Sequence, residues 1–241
     1  MIKTFLITGD THGDIYRYKF LEQYPAETAA LIVLGDAGFN YYGQGKDLLT
    51  KAGASMWENY IYCVRGNHEM RPEDVEGMQE MFDEDVGNVV YYETEFPLIR
   101  YFKDGLIYNI CGYRTLVLGG AYSVDKDYRI ARGWKWFHNE QLSEEEMNNI
   151  YERYKDEEID VILSHTCPLS CQPTHLFLSG IDQSTVDNSM ERWMEKVKQD
   201  FDWKVWLFGH YHRDLYIEPG VEMLLSNIWD YEHICSSKRR K

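Results

Sequence analysis

The sequence predicts an α/β domain built on strands that are buried on both faces. Three observations predict it. Short apolar runs alternate with amphipathic stretches, a second set of strands has alternating character, and polar clusters sit at the ends of the buried runs.

The apolar runs come first. They are Thr4 to Thr8 (TFLIT), Leu31 to Leu34 (LIVL), Ile61 to Val64 (IYCV), Thr115 to Leu118 (TLVL), Val161 to Leu163 (VIL) and Val205 to Phe208 (VWLF). Each is short and bounded by Gly, Asp or Ser, as in a strand covered on both faces. Between them, segments 14–24, 46–59, 73–82, 143–156 and 184–200 read as helices. Ser143 precedes three glutamates, which puts a capping residue and first-turn carboxylates at one helix start. Segment 184–200 opens at Ser184 or Thr185 and sets Met190, Trp193, Met194 and Val197 on one face. Stretches 89–102, 106–111 and 214–225 alternate more and are rich in Tyr, Ile and Val, which suits antiparallel or mixed pairing. With no internal repeat, linker or break in composition, the chain reads as one domain over 1–241, its basic end 236–241 flexible.

Composition narrows the class. Apolar residues make up 44% and charged residues 27% of 241, enough for a self-sufficient core. The formal charge of −15 disfavours stable binding to long nucleic acid, which draws on Lys and Arg against phosphates. The five cysteines are scattered, and Cys167 and Cys171 lack the second pair a thiolate zinc site needs. Cys63 and Cys111 lie in apolar runs that read as buried strands. The expectation is a reduced, cytoplasmic protein without a leader or a membrane span.

The strand ends carry the chemistry. After TFLIT come Asp10 and His12, after LIVL Asp36, after IYCV Asn67 and His68, after VIL His165, and after VWLF His210 and His212. Ligands of α/β sheets bind outside the carboxyl ends of the strands. Carboxylates, an amide oxygen and imidazoles together suit divalent metals such as manganese, iron or zinc. An Asp-x-His alone is a common capping pair, and a Gly-Asn-His alone a common turn. All of them in order, each at a strand end, form a much more specific signal.

Asp10-Thr11-His12, Gly35-Asp36, Gly66-Asn67-His68-Glu69, His165 and Gly209-His210-Tyr211-His212 make the sequence resemble the calcineurin-like metallophosphoesterase superfamily. The run Gly119 to Lys126, with Arg129, Trp134 and Trp136, resembles a bacterial and phage-type subgroup. The resemblance implies a four-layer α/β/β/α sandwich with two mixed sheets. It also implies two divalent metal ions, manganese first, with iron, zinc or magnesium as alternatives. Asp10, His12, Asp36 and His212 would hold one ion, and Asp36, Asn67, His165 and His210 the other, with Asp36 bridging. A hydroxide between the ions would attack phosphorus in line, and His68 would protonate the departing oxygen. Asn67, His68 and Arg71 are the expected substrate contacts.

One stretch departs from the pattern. Many phosphatase members continue as Gly-Asp-x-x-Asp-Arg-Gly. Here Phe39 stands in place of that Asp and Asn40 in place of the Arg, so the partner of His68 and the phosphate clamp are unassigned. Arg71, Arg129 and Arg132 are the remaining candidate cations, each also readable as a surface residue. The expected substrate is a small or terminal phosphate ester, mono- or diester. A metal-binding scaffold without turnover and a nuclease are the competing readings. Loop 39–46 and the aromatic stretch 134–138 could border the pocket.

Overall fold

The computed structural model describes residues 1–43, 45–177 and 179–237. The apolar runs form parallel strands. β1 (Thr4–Thr8), β2 (Ala29–Leu34) and β3 (Tyr60–Val64) are parallel neighbours. β4 (Met78–Asp83), β5 (Asn88–Glu93) and β6 (Phe96–Phe102) form an antiparallel meander that joins β3 through β6. In the second sheet, β7 (Ile107–Ile110) and β8 (Tyr113–Leu118) form a hairpin, and β8, β9 (Glu158–Ser164) and β10 (Asp202–Phe208) run parallel. β11 (Leu215–Glu218) and β12 (Val221–Met223) close its far edge, and β13 (Trp229–Asp230) returns to pair with β1. The orders are β13-β1-β2-β3-β6-β5-β4 and β11-β12-β10-β9-β8-β7.

Period-two alternation divides the strand side chains between layers. Phe5, Ile7, Ile32, Leu34 and Val64 meet Val117, Leu163, Val205 and Leu207 in the core between the sheets. The opposite faces hold Leu31, Val33 and Cys63 on one sheet and Leu118, Ile162, Trp206 and Phe208 on the other. The first of these faces is covered by the 3₁₀ segment Ile15–Gln23 and α1 (Lys46–Ala54). The second is covered by α3 (Glu144–Tyr154) and α4 (Ser189–Asp200), whose buried residues include Met147, Ile150, Met190, Met194 and Val197. The four-layer sandwich with two mixed sheets is therefore present.

Some elements differ from expectation. Segment 73–82 is not a helix: a 3₁₀ turn, Pro72–Asp74, leads to Gly77 at φ 84°, and β4 comes next. Backbone pairing with β5 overrides the local helical pattern. Segment 14–24 is 3₁₀ rather than α. α4 starts only at Ser189, because Asp182 caps a separate 3₁₀ turn, Gln183–Thr185, by accepting Ser184 N–H. Ser143 does form a full capping box with Glu146. Cys111 lies in the β7–β8 turn at φ 52°, not within a strand, and none of the five cysteines is in a disulfide. α2 (Lys126–Ala131) and α5 (Tyr231–Ser237) are additional, so Ser236 and Ser237 end a helix while 238–241 lie outside the described residues. Among the described residues, no helix is long and apolar enough to cross a membrane.

Candidate active site

The carboxyl ends of β1, β2 and β3 in one sheet and of β9 and β10 in the other meet at one rim. Asp10 lies under His210, whose backbone N–H it accepts through Oδ1 at 2.9 Å. Its Oδ2 lies 3.8 Å from His12 Nε2 and 3.4 Å from His212 Nε2. Asp36 accepts the His68 N–H at 2.9 Å, and its Oδ2 lies 3.6 Å from His165 Nε2. His165 Nε2 also meets Asn67 Oδ1 at 2.9 Å, and its ring lies 5.0 Å from that of His210. The structure thus brings all seven expected ligands together, from residues as far apart as Asp10 and His212.

The backbone is shaped for this. Six non-glycine residues among those described have positive φ, and four of them are His12, Asp36, His210 and His212, at 49°, 47°, 69° and 52°. Such conformations cost on the order of 1 kcal/mol or more each and concentrate at functional sites. Two glycines make room. A Cβ on Gly66 would land on the Asp36 carboxylate, and one on Gly35, at φ 91°, would land on the His165 ring.

Supporting residues fix the orientation of the ligands. Asn67 Nδ2 donates to Ser123 Oγ at 2.8 Å, and Ser123 Oγ donates to Glu140 Oε2 at 2.6 Å. That chain turns Asn67 Oδ1 toward His165. Glu69 accepts the Gly38 and Gly66 N–H groups and ties the β2 and β3 loops together. Burial, with Asp36 close by, pushes its carboxyl up to about 7. Arg17 binds the Asp10 and Leu225 carbonyls and so anchors the end of β1. Arg65 reaches Asp104, Gly119 O and Glu140 O, linking the two sheets beside the site. Sequence reading missed these residues. The only local signal was the position of some of them inside or beside the motif loops.

Charge is strongly shaped here. His165 Nδ1 donates to Leu34 O at 2.8 Å, while acceptors face Nε2. Burial opposes a charged His165 ring, yet Asp36 and Asp10 prevail and raise its pKa to about 9. Burial and the His165 charge drive His210 down to about 3. Although burial works against it, Asp36 is held far below the usual carboxylate range, chiefly by His165.

Asp10 Oδ2 is buried without a hydrogen-bond partner. An unpaired buried carboxylate oxygen is costly unless a cation satisfies it. Single ligand atoms of Asp10, His12 and His212 lie within 4.8 Å of one another, as do those of Asp10, Asp36 and His165. Asp10 is common to both groups, whereas Asp36 was expected to be the shared ligand. Oxygen and imidazole donors around an orphaned carboxylate fit a divalent cation.

The model of the calcineurin-like phosphoesterase family matches residues 3–214, which span every one of these strand ends. The chain belongs to the calcineurin-like phosphoesterase family. No curated protein matches it. The family's metal-dependent hydrolysis of phosphoesters agrees with the donor set assembled here.

Around the metal-ligand candidates of this phosphoesterase, the structure corrects the expected cation. Arg71 is turned away: it donates to Asn139 O at 2.9 Å, to Gln141 O at 2.8 Å and to Glu146 at 2.5 Å. With its donors committed to the start of α3, it lines neither cavity beside the ligands. Arg129, on α2, borders the larger cavity instead. Its Nε is held by both Asp125 oxygens at 2.8 Å, Nη1 reaches Tyr41 at 3.2 Å and Nη2 reaches His68 Nε2 at 3.1 Å. Phe39 is buried and stacked on Tyr18, which is why no carboxylate reaches His68 from that position. Two cavities flank His68 and Asp36. One, of about 710 Å³, is bordered by Tyr41, Tyr42, Lys46, Arg129, Trp134 and Lys135, so the expected aromatic loops do reach the site. The other is about 440 Å³ and is bordered by Gln172, Leu176, Phe177, Ile181, Val186 and Asn188.

Proposed function

We propose that this phosphoesterase hydrolyses a small or terminal phosphate ester, mono- or diester, at two divalent cations. The supporting observation is the buried Asp10 Oδ2, which has no hydrogen-bond partner and belongs to a residue shared by both groups of close ligand atoms, Asp10–His12–His212 and Asp10–Asp36–His165. Asp10, His12, Asp36 and His212 would hold one cation, and Asp36, Asn67, His165 and His210 the other. Manganese is the first choice for this mixture of oxygen and imidazole donors, with iron, zinc and magnesium the alternative results of metal analysis. When bound, the cations neutralise phosphoryl charge and acidify water near neutral pH.

The protein groups do the rest. Asn67, held by Ser123, keeps its carbonyl on the site. His68 is the proton donor for the departing oxygen; its Nε2 here accepts Arg129 Nη2–H, so it carries that proton once Arg129 turns to the phosphoryl group. Arg129 is the guanidinium placed to grip a phosphoryl oxygen, in the role expected of Arg71. Cavities of about 440 and 710 Å³ match small organic arms, and the −15 charge disfavours a long polyanion. A cytoplasmic site of action fits five cysteines outside any disulfide.

The test is cleavage of p-nitrophenyl phosphate and its bis ester by protein purified without chelator and supplied with Mn²⁺. Asn67→Ala and His210→Ala should abolish turnover. Undiminished activity in both variants would sink the assignment. Faster cleavage of single-stranded or duplex DNA than of the small esters would replace it with a nuclease.

A further inference from the structure

The smaller cavity holds a group that the proposed hydrolysis does not use. Its lining is apolar at Tyr122, Leu176, Phe177, Ile181 and Val186, with Gln172, Gln183 and Asn188 among them, and it opens on Asp36, Asn67, His68 and His210. Glu191, on α4, lines the same space and is only 3% exposed. Its Oε1 accepts Thr166 Oγ1–H at 2.8 Å, and its Oε2 is buried with no partner. Arg213 and Asp125 also border the cavity, but Arg213 is exposed and makes no ion pair with Glu191 among the described residues, and Asp125 is bound to Arg129. A buried carboxylate oxygen without a partner has to be matched by a donor when the space beside it fills. Burial pushes this carboxyl up to about 7.

We propose that this cavity receives the leaving group of the ester, an alcohol with an apolar or aromatic body and a hydrogen-bond donor that reaches Glu191 Oε2. The inference rests on the phosphoesterase reading for its chemistry and on the cavity for its selectivity. The apolar wall removes the body from water, and Glu191 selects the donor. A sugar-phosphate chain would bring extra anionic groups against Glu191 and is selected against.

Phenyl phosphate and 4-aminophenyl phosphate test this, because they differ by one neutral donor. With Mn²⁺-loaded protein assayed at about pH 8, where Glu191 is ionised, kcat/KM should favour the amino ester roughly tenfold or more, as for a hydrogen bond to a charged acceptor. Glu191→Leu should bring the ratio close to one. Glu191→Gln, with the same shape and a weaker acceptor, should lower it severalfold and covers the case in which the Leu variant fails to fold. An unchanged ratio in either variant overturns the proposal. Ligand-observed NMR with phenol and 4-aminophenol supplies a readout that needs no turnover. Wild type should bind 4-aminophenol more tightly than phenol, Glu191→Gln less selectively and Glu191→Leu equally, and equal binding by wild type overturns the proposal. Absence of cleavage of any ester, with selective 4-aminophenol binding retained, refutes the hydrolase reading and leaves the alcohol site standing.

Discussion

Replacing Ser123 by Ala should loosen the metal site without touching a ligand. Ser123, Asn67 and Glu140 are 1%, 1% and 3% exposed, so water does not readily substitute for a lost bond. The substitution removes the acceptor of Asn67 Nδ2 and the donor to Glu140 Oε2. Glu140 keeps the Ser123 backbone N–H at 3.0 Å, and Asn67 keeps a long contact of 3.3 Å to His68 Nδ1. Each deprived buried group costs about 1–3 kcal/mol. With both partly compensated, the loss should be about 2–4 kcal/mol, a large share of the roughly 5–15 kcal/mol that stabilises a domain. The Asn67 amide also becomes free to turn its Nδ2 toward the metal. Loss of such an orienting partner lowers metal affinity about 10–100-fold. Urea denaturation of chelator-treated protein measures the first quantity, and Mn²⁺ titration measures the second. A Ser123→Ala protein with wild-type stability and wild-type Mn²⁺ affinity would show that the Asn67–Ser123–Glu140 chain does not hold the amide in place.

Three further expectations come from the same geometry. Arg129→Gln should lower kcat/KM for p-nitrophenyl phosphate about 10²–10³-fold, the usual cost of one lost charge-stabilising donor, whereas Arg71→Gln should mainly lower stability. Equal kinetic losses in the two variants would show that Arg129 is not the clamp. Glu146, although burial pushes the other way, is held down to about 2 by Arg71 and the Ser143 cap, from an ordinary 4.5. Because the folded value is depressed, its stabilisation is present above about pH 4.5 and is lost as pH falls toward 2. Glu146→Gln should therefore flatten stability between those limits. An unchanged acid profile in urea melts would count against it. Gly66→Ala drives a Cβ into the Asp36 carboxylate and should abolish Mn²⁺ binding. Normal metal stoichiometry in that variant would contradict the close packing described.

The sequence by itself determined the parallel strands and the polar clusters at their ends. Runs such as LIVL and VWLF are buried on both faces, so their apolar character is continuous and readable without context. Chemistry sits where those runs stop, so the candidate residues could be named there, and the family resemblance sorted them into expected ligands and an expected proton donor. The Ser143 cap was equally local, since its partner Glu146 lies three residues away. Segment 73–82 was misread because β4 is held by backbone bonds to β5, which no side-chain pattern reports. Arg71 and Arg129 were indistinguishable as sequence. Only the fold turns one toward α3 and lays the other against His68, 61 positions away. Glu140 and Glu191 carry no motif of their own, and the run Gly119 to Lys126 that contains Ser123 assigns it no role. Their roles arise from which buried polar atoms have partners, and packing between distant segments decides that.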